Sequence, residues 1–207
     1  MDLSASTPRL RREQVAGMNI HYIMWSLDYF LDAQQRLGFK TIELWAAEPH
    51  VTLDHTGYFE ADELRRKIES RGLSVSSLCP ENVVYPWQYA ARKPLHAQRS
   101  LAYFKHGIEL AEVLGAPYMS INSGWGDWDE DREEAWKRSA EHLAILADYA
   151  GEHGVTLCME SLRPEESNLV VTLADARRML DQVASPHLTP MVDTTATVSY
   201  THLTLPT

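Results

Sequence analysis

The sequence predicts an α/β fold, namely a (β/α)8 barrel that is truncated after about six βα units. Strand-like and helix-like stretches alternate along the chain, which is typical of a parallel sheet with helices outside it. No GxGxxG or phosphate-binding loop follows the first strand, and this favours a barrel over a doubly wound sheet. The 207 residues suit one domain, whereas a complete eightfold barrel typically takes about 250.

A repeated unit of helix, glycine and strand underlies this prediction. Four helix-like stretches end in a glycine that is followed by a short apolar run, at spacings of 34, 43 and 39 residues, and the glycines are Gly38, Gly72, Gly115 and Gly154. Glycine suits the position after a helix's last turn because it adopts the left-handed conformation without strain. The same supersecondary unit is therefore expected several times in succession.

The first half of the chain is expected to contain three strands, at residues 18–23, 41–45 and 74–79. Ser26 or Asp28 can cap a first helix that runs to Leu37, since either side chain can accept hydrogen bonds from free backbone amides. Two further helices are predicted where apolar residues recur at helical spacing, near residues 60–70 and at 95–114.

The second half repeats the pattern, with strands predicted at residues 118–122, 155–160 and 188–193. The acidic end of the segment SGWGDWDED suits the start of a helix that runs to about His153. Thr172 is predicted to cap a last helix that ends near Val183.

Composition and charge restrict the class of partner. The chain carries 19 basic and 29 acidic residues, and the basic residues are scattered. No nucleic-acid partner is expected, because phosphate neutralisation supplies most of such affinity. No stretch reaches the roughly 20 apolar residues that a membrane span needs, so no membrane partner is expected either. Cys79 and Cys158 lack CxxC spacing and are expected to be core thiols of a cytoplasmic protein.

The two ends of the chain differ from the body. Residues 1–16 hold two adjacent arginines with no apolar segment after them, so a flexible extension is expected rather than a secretory signal. Residues 17–197 are expected to form the partial barrel domain. Residues 198–207, VSYTHLTLPT, do not continue the helical pattern and resemble the translation of a transposon-type sequencing adapter, so a non-native tail is expected.

Two carboxylates end successive predicted strands. Glu160 closes the fifth strand and Asp193 the sixth, so a barrel would place them side by side on one rim. Adjacent carboxylates repel unless a cation or a proton lies between them. Their hard oxygen ligands predict a divalent metal, Mn²⁺ or Mg²⁺ before Co²⁺ or Zn²⁺. Acids that cap helices or pair with arginines are the alternative interpretation.

Four segments carry a family resemblance: IELWAAEPH, CPENVVYPW, MESLRPEESNLV and PMVDTTA. Together they resemble the xylose-isomerase-like TIM-barrel sugar epimerases, most closely the fructoselysine 3-epimerase and D-tagatose 3-epimerase group. The resemblance runs from about residue 18 to 197. Its most specific part is a Glu followed six residues later by a second Glu, with an Asp about thirty residues on: Glu160, Glu166 and Asp193.

The resemblance implies a function and residue roles. It makes the chain a sugar isomerase that removes and returns a proton beside the ketone of a ketose or ketose-amine, through an enediolate. Glu160 would be a metal ligand and one of two acid/base groups, Asp193 a second ligand and Glu166 a substrate contact. The family's remaining ligands, commonly a His and a Glu on strands seven and eight, have no counterpart, so we expect an inactive fragment. A homodimer or higher oligomer is expected by analogy alone.

Other rim residues are weaker candidates for substrate contacts. Trp45 can stack on a sugar ring, although barrel packing explains a Trp at a strand end equally well. Glu81 and His50 follow strands and can reach substrate, but solvated loop side chains are the commoner case. Asn122, at the end of the fourth strand, is a further polar rim group.

Alternative functions stay open from the sequence. A lyase such as an inosose dehydratase, or an isomerase of hydroxypyruvate, would use similar metal-binding acids on the same barrel. The DNA-repair endonuclease branch needs a basic face and a His-rich multi-zinc site, which the acidic balance and sparse rim histidines disfavour. A catalytically dead fragment is the alternative outside enzymology.

Overall fold

The computed structural model describes residues 10–83 and 87–196. Its strands, in chain order, are β1 (Gly17–Met18), β2 (Thr41–Ala46), β3 (Leu53–Asp54), β4 (Gly57–Tyr58), β5 (Ser74–Pro80), β6 (Tyr118–Ile121), β7 (Thr156–Glu160) and β8 (Leu188–Met191). Its α-helices are α1 (Leu27–Leu37), α2 (Ala61–Glu69), α3 (Pro94–Val113), α4 (Arg132–Glu152) and α5 (Leu173–Val183).

Six of these strands form one parallel sheet within the described residues, in the order β1-β2-β5-β6-β7-β8. Each neighbour in the sheet is the next long strand along the chain, and β3 and β4 form a separate antiparallel hairpin. This sequential order is what a barrel requires, since a doubly wound sheet reverses its strand order partway. The predicted α/β architecture with about six βα units is confirmed. The two domain boundaries, after residues 16 and 197, stay predictions.

The core lies between the sheet and the helices. On β7 the buried Leu157 and Met159 alternate with the partly exposed Thr156, Cys158 and Glu160. Successive strand side chains point to opposite faces, so the buried set packs beneath the helices and the other set lines the inner face of the sheet. Both cysteines are only partly buried, because they belong to this inner face rather than to the helix-covered core.

The helix ends follow the predicted chemistry. Gly38, Gly72, Gly115 and Gly154 all adopt left-handed backbone angles, with φ between 66° and 77°. The Ser26 hydroxyl, rather than Asp28, caps α1 by accepting a hydrogen bond from the Tyr29 amide at 3.2 Å. Thr172 caps α5, as predicted, in a reciprocal arrangement with Asp175. No α-helix in the described part of the chain is both long enough and apolar enough to cross a membrane.

The prediction of a first strand over residues 18–23 was wrong. The strand stops at Met18, and a 3-10 turn covers Asn19–Tyr22. The buried Asn19 side chain takes over the pairing: its Oδ1 accepts from the Trp45 amide at 2.7 Å and its Nδ2 donates to the Trp45 carbonyl at 3.0 Å. A side-chain amide carries the same donor and acceptor groups as a peptide bond. The Asn19 side chain therefore replaces one pair of backbone hydrogen bonds between β1 and β2, and the backbone can turn after Met18.

Two further differences concern the rim. The sixth strand was predicted to end at Asp193 but stops at Met191, so Asp193 lies in the loop just beyond it. The hairpin of β3 and β4 was not predicted. Its turn is stabilised by the Asp54 carboxylate, which accepts from the Thr56 amide and hydroxyl, each at 2.6 Å.

Truncating Leu78 tests the packing of the central strand. Leu78 on β5 is fully buried, so Leu78→Ala should lower the free energy of unfolding by about 2–5 kcal/mol, through lost apolar burial and the cavity it leaves. Leu173→Ala is the matched control, because Leu173 is 49% exposed and its loss should change stability by less than about 0.5 kcal/mol. Urea unfolding followed by circular dichroism measures both. Equal losses for the two variants would contradict this packing.

Candidate active site

Glu160 is the last residue of β7 and lies on the inner face of the sheet. Burial raises its pKa to about 7, and the negative charges of Asp193, Glu166 and Glu43 add to this effect. A carboxyl group in this range exchanges a proton readily near neutral pH, which is the property that acid/base catalysis requires.

The sheet register brings Asp193 to Glu160. β7 and β8 run parallel with Glu160 opposite Met191, so the loop after β8 starts at the same edge of the sheet. The two side chains share a hydrogen bond that favours the protonated form of Glu160. Asp193 also accepts from the Thr195 amide at 2.7 Å, which fixes the carboxylate at the start of its loop.

Glu166 approaches the same pair from the loop after β7. Arg163 holds it by an ion pair and by a backbone amide that donates at 3.2 Å, and this lowers the pKa of Glu166. Glu166 is therefore a fixed negative charge near Glu160. The structure thus gathers Glu160, Glu166 and Asp193 at one edge.

Glu43 is a fourth acid that we did not predict as a site residue. It lies on β2, is partly buried, and has a raised pKa because desolvation outweighs a hydrogen bond from Ser77. Its charge raises the pKa of Glu160, so the two carboxylates share the inner face. The sequence already indicated this position, because residues two apart on a strand point to the same face of the sheet, which places Glu43 on the same face as Trp45.

Trp45 and Glu81 form a second pair at the carboxyl ends of β2 and β5. The indole Nε1 of Trp45 donates to Glu81 Oε2 at 3.2 Å, and Glu81 Oε1 accepts from the Val83 amide at 3.2 Å. These contacts orient both side chains, and Trp45 itself is only 6% exposed. The two predicted substrate contacts are thus brought together.

His50 and Asn122 have their polar atoms engaged within the protein. Asn19 Nδ2 lies 3.0 Å from His50 Nδ1, and His50 Nε2 lies 2.8 Å from the Trp25 carbonyl, so both ring nitrogens are used. The buried Asn122 donates to the Asn82 carbonyl at 2.6 Å and accepts from the Gly124 amide at 2.7 Å. In this conformation both residues stabilise loops at the carboxyl ends of the strands.

The carboxylates of Glu160 and Asp193 can form part of a metal site. Within residues 10–83 and 87–196, no group of three or more His, Cys, Asp or Glu side chains is arranged to hold a metal ion. Glu160 and Asp193 nevertheless present hard oxygen donors whose mutual repulsion a divalent cation would relieve. They can supply two ligands, and a complete coordination sphere needs more.

Comparison with known proteins gives a consistent picture. The model of the "Xylose isomerase-like TIM barrel" family matches residues 31–204. The chain is 29% identical to fructoselysine 3-epimerase of Shigella flexneri over 164 residues, which are 79% of this chain and 59% of that protein. It is 24% identical to D-psicose 3-epimerase of Enterocloster bolteae, with 90% of this chain and 65% of that protein covered.

The solved structures extend the likeness to the fold. The structure of L-ribulose 3-epimerase superposes with a TM-score of 0.75 at 23% identity, over 91% of this chain and 63% of that one. D-psicose 3-epimerase with D-fructose gives a TM-score of 0.73 at 16% identity, over 91% and 66%. The chain spans about three fifths of the length of the curated relatives it matches.

The raised pKa of Glu160 predicts a specific dependence of stability on pH. Its pKa in the folded state, about 7, exceeds the ordinary value of about 4.3, so its stabilising contribution is full below about pH 4.3 and is lost as pH rises through about 7. Without divalent metal, Glu160→Gln should therefore be more stable than the unmodified chain at about pH 8. The gain should be about 2 kcal/mol, after allowance for partial exposure, and should shrink towards about pH 4.5.

Urea unfolding with a chelator present, repeated across this pH range, measures the effect. Glu141→Gln, which removes an exposed acid on α4, is the control and should show no such pH-dependent gain. A constant difference between Glu160→Gln and the unmodified chain at all pH values would contradict the assignment.

Proposed function

Because the chain belongs to the xylose isomerase-like TIM barrel family, we propose that it carries part of the active site of a metal-dependent sugar epimerase, namely two metal ligands and one proton-transfer group. The single observation that carries this proposal is the pair of Glu160 and Asp193, held together at one rim with the pKa of Glu160 raised to about 7. The relatives reported above are named as sugar 3-epimerases, which favours epimerisation over the lyase chemistry that the sequence also allowed.

Epimerisation beside a ketone begins with removal of a weakly acidic C–H proton. We assign this proton transfer to Glu160, whose partial burial strengthens its interaction with a bound substrate. A divalent cation, Mn²⁺ or Mg²⁺, held by Glu160 and Asp193 would stabilise the negative charge that develops on the substrate oxygens as an enediolate. Positioned acid/base groups typically contribute about 10² to 10⁴ in rate.

The neighbouring residues are proposed to hold the sugar. Glu166, fixed by Arg163, can accept hydrogen bonds from substrate hydroxyl groups. Trp45, which is only 6% exposed and donates to Glu81, is proposed to orient that carboxylate at the rim. His50 and Asn122, first proposed as direct contacts, are assigned the support of the loops that carry these groups.

Inversion at carbon requires a second group on the opposite face of the substrate. We assign no described residue to that face, so we propose that Glu160 removes and returns the proton on one side. The consequence is exchange of the substrate proton with solvent, with little inversion.

Metal binding tests the first half of the proposal. Glu160→Gln and Asp193→Asn should each weaken Mn²⁺ binding by at least about tenfold, whereas Glu141→Gln should leave it unchanged. Affinity should rise from about pH 6 to pH 8, because the cation binds the ionised form of Glu160. Electron paramagnetic resonance of free Mn²⁺ gives the dissociation constants. Unaltered affinity in both site variants would refute the metal assignment.

Isotope exchange tests the second half. The chain is incubated in D₂O with Mn²⁺ and, in turn, D-fructose, D-psicose, L-ribulose and fructoselysine. Deuterium is expected at the carbon beside the carbonyl in at least one recovered ketose, ahead of any epimer. Glu160→Gln should slow this exchange by about 10² or more, and Glu141→Gln should not. Loss of water, or exchange that survives in Glu160→Gln, would overturn the proposed chemistry.

A further inference from the structure

A cavity of about 330 Å³ lies beside Glu166, between the loops that follow β5, β6 and β7. We call it the tryptophan cavity, because its lining includes Trp125 and Trp128 together with Pro164 and Glu165. Its volume is within the range of small-molecule sites, about 300–1,000 Å³. Since Glu166 belongs to both, a group bound in this cavity would lie next to the candidate active site.

The two tryptophans of this cavity have aromatic faces that no cation or ring covers. Among the described residues, neither indole stacks on another ring or lies beneath a basic side chain. Trp136, by contrast, lies beneath the guanidinium groups of Arg132 and Arg178, whose central carbons are 5.5 Å and 4.1 Å from the ring centroid. Trp125 is partly exposed and Trp128 is 86% exposed. The negative face of an exposed indole attracts a cation.

Hydrogen bonds between two loops hold the walls of the tryptophan cavity in place. Asn168 Oδ1 accepts from the Gly126 amide at 2.8 Å, and its Nδ2 donates to the Gly126 carbonyl at 2.9 Å. The Ser167 hydroxyl donates to the Gly124 carbonyl at 2.7 Å and accepts from the Leu169 amide at 3.1 Å. These contacts engage both ends of the Asn168 amide and both roles of the Ser167 hydroxyl. Few hydrogen-bonding groups therefore remain for the hydroxyl groups of a neutral sugar.

The charge of the cavity lining is negative. Its charged side chains are Glu165 and Glu166, and the charge of Glu166 is already balanced by the ion pair with Arg163. Glu165 lies in the turn that the Glu166 amide closes by donating to the Arg163 carbonyl at 2.9 Å. It is exposed and forms no ion pair with the part of the chain that the structure describes. One arginine thus stands against two carboxylates, and a negative charge remains for a ligand.

We propose that the tryptophan cavity binds a primary ammonium group carried on an apolar chain. The ammonium group would lie against the indole faces of Trp125 and Trp128 and pair with Glu165, while the apolar chain packs on Pro164. An anion is disfavoured, because no basic side chain is part of the lining and the two acids would repel it.

The position of the cavity identifies the molecule that carries the ammonium group. Because the cavity shares Glu166 with the candidate active site, the group is a substituent of the sugar, and the substrate is an amine-substituted ketose. This step rests on the proposed function, whereas the ammonium site itself does not.

Ligand-observed NMR titrations at low salt test the ammonium site with three probes of equal chain length: pentylamine, pentan-1-ol and pentanoate. Pentylamine should bind at least about fivefold more tightly than pentan-1-ol, and pentanoate should bind most weakly. Glu165→Gln should weaken pentylamine about fivefold and leave pentan-1-ol unchanged. Trp128→Ala should weaken pentylamine at least about threefold, and Trp128→Phe, which keeps an aromatic face, should weaken it less. Glu141→Gln, which removes an exposed acid on α4, is the control and should have no effect.

Glu165 and Trp128 are both exposed, so their variants are expected to fold, and a thermal melt checks this. The ammonium site is overturned if pentylamine does not bind the folded chain or if pentan-1-ol binds as tightly. It is also overturned if Glu141→Gln weakens pentylamine as much as Glu165→Gln does. None of these readouts requires catalytic activity or a metal ion.

The substrate step is tested separately, in the presence of Mn²⁺, with 1-deoxy-1-(5-aminopentylamino)-D-fructose and its 5-hydroxypentylamino analogue. The amine should bind at least about fivefold more tightly than the alcohol, and Glu165→Gln should remove the difference. Equal binding of the two sugars by the unmodified chain would refute the amine-substituted ketose. A failure of the proposed function is distinguishable, because loss of Mn²⁺ binding or of proton exchange would leave the binding of pentylamine unchanged.

Discussion

The repulsion between Glu160 and Asp193 is the interaction on which the candidate site depends. The parallel register of β7 and β8 holds both side chains at one edge, where the partial burial of Glu160 strengthens the repulsion. Such a pair is relieved by a shared proton or by a cation. The raised pKa of Glu160 favours the proton in the metal-free protein, and a cation would displace it. Proton transfer and metal binding at this rim therefore have the same physical origin, namely the repulsion between Glu160 and Asp193.

The strands and helices could largely be predicted from the sequence because local chemistry decides them. The glycines after the helices, Ser26 at the start of α1 and Thr172 at the start of α5 each act within a few residues of the chain. The first strand was predicted incorrectly because Asn19 replaces its ladder through contacts with Trp45, 26 residues away. No local pattern reports a side chain that pairs with a distant backbone.

The candidate site shows the same division. Glu160 and Asp193 could be predicted because strand ends that meet on one rim follow from the repeat alone. The engagement of His50 by Asn19, and of Asn122 by Asn82, depends on how loops from different units meet. Glu43 shows the reverse case, since its spacing from Trp45 was visible in the sequence but only its depth in the fold gives it a perturbed pKa. The polar rim is thus largely preorganised by contacts within the protein.

The brevity of β1 bears on how the sheet meets other molecules. At this border of the sheet, β1 has only two residues, and a side-chain amide takes the place of a longer strand. An extended peptide from another molecule therefore finds almost no backbone groups with which to pair. At the opposite border, Pro190 in β8 lacks an amide hydrogen, which interrupts any added ladder there. Both margins of the described sheet thus resist the strand-by-strand accretion that produces amyloid-like assemblies.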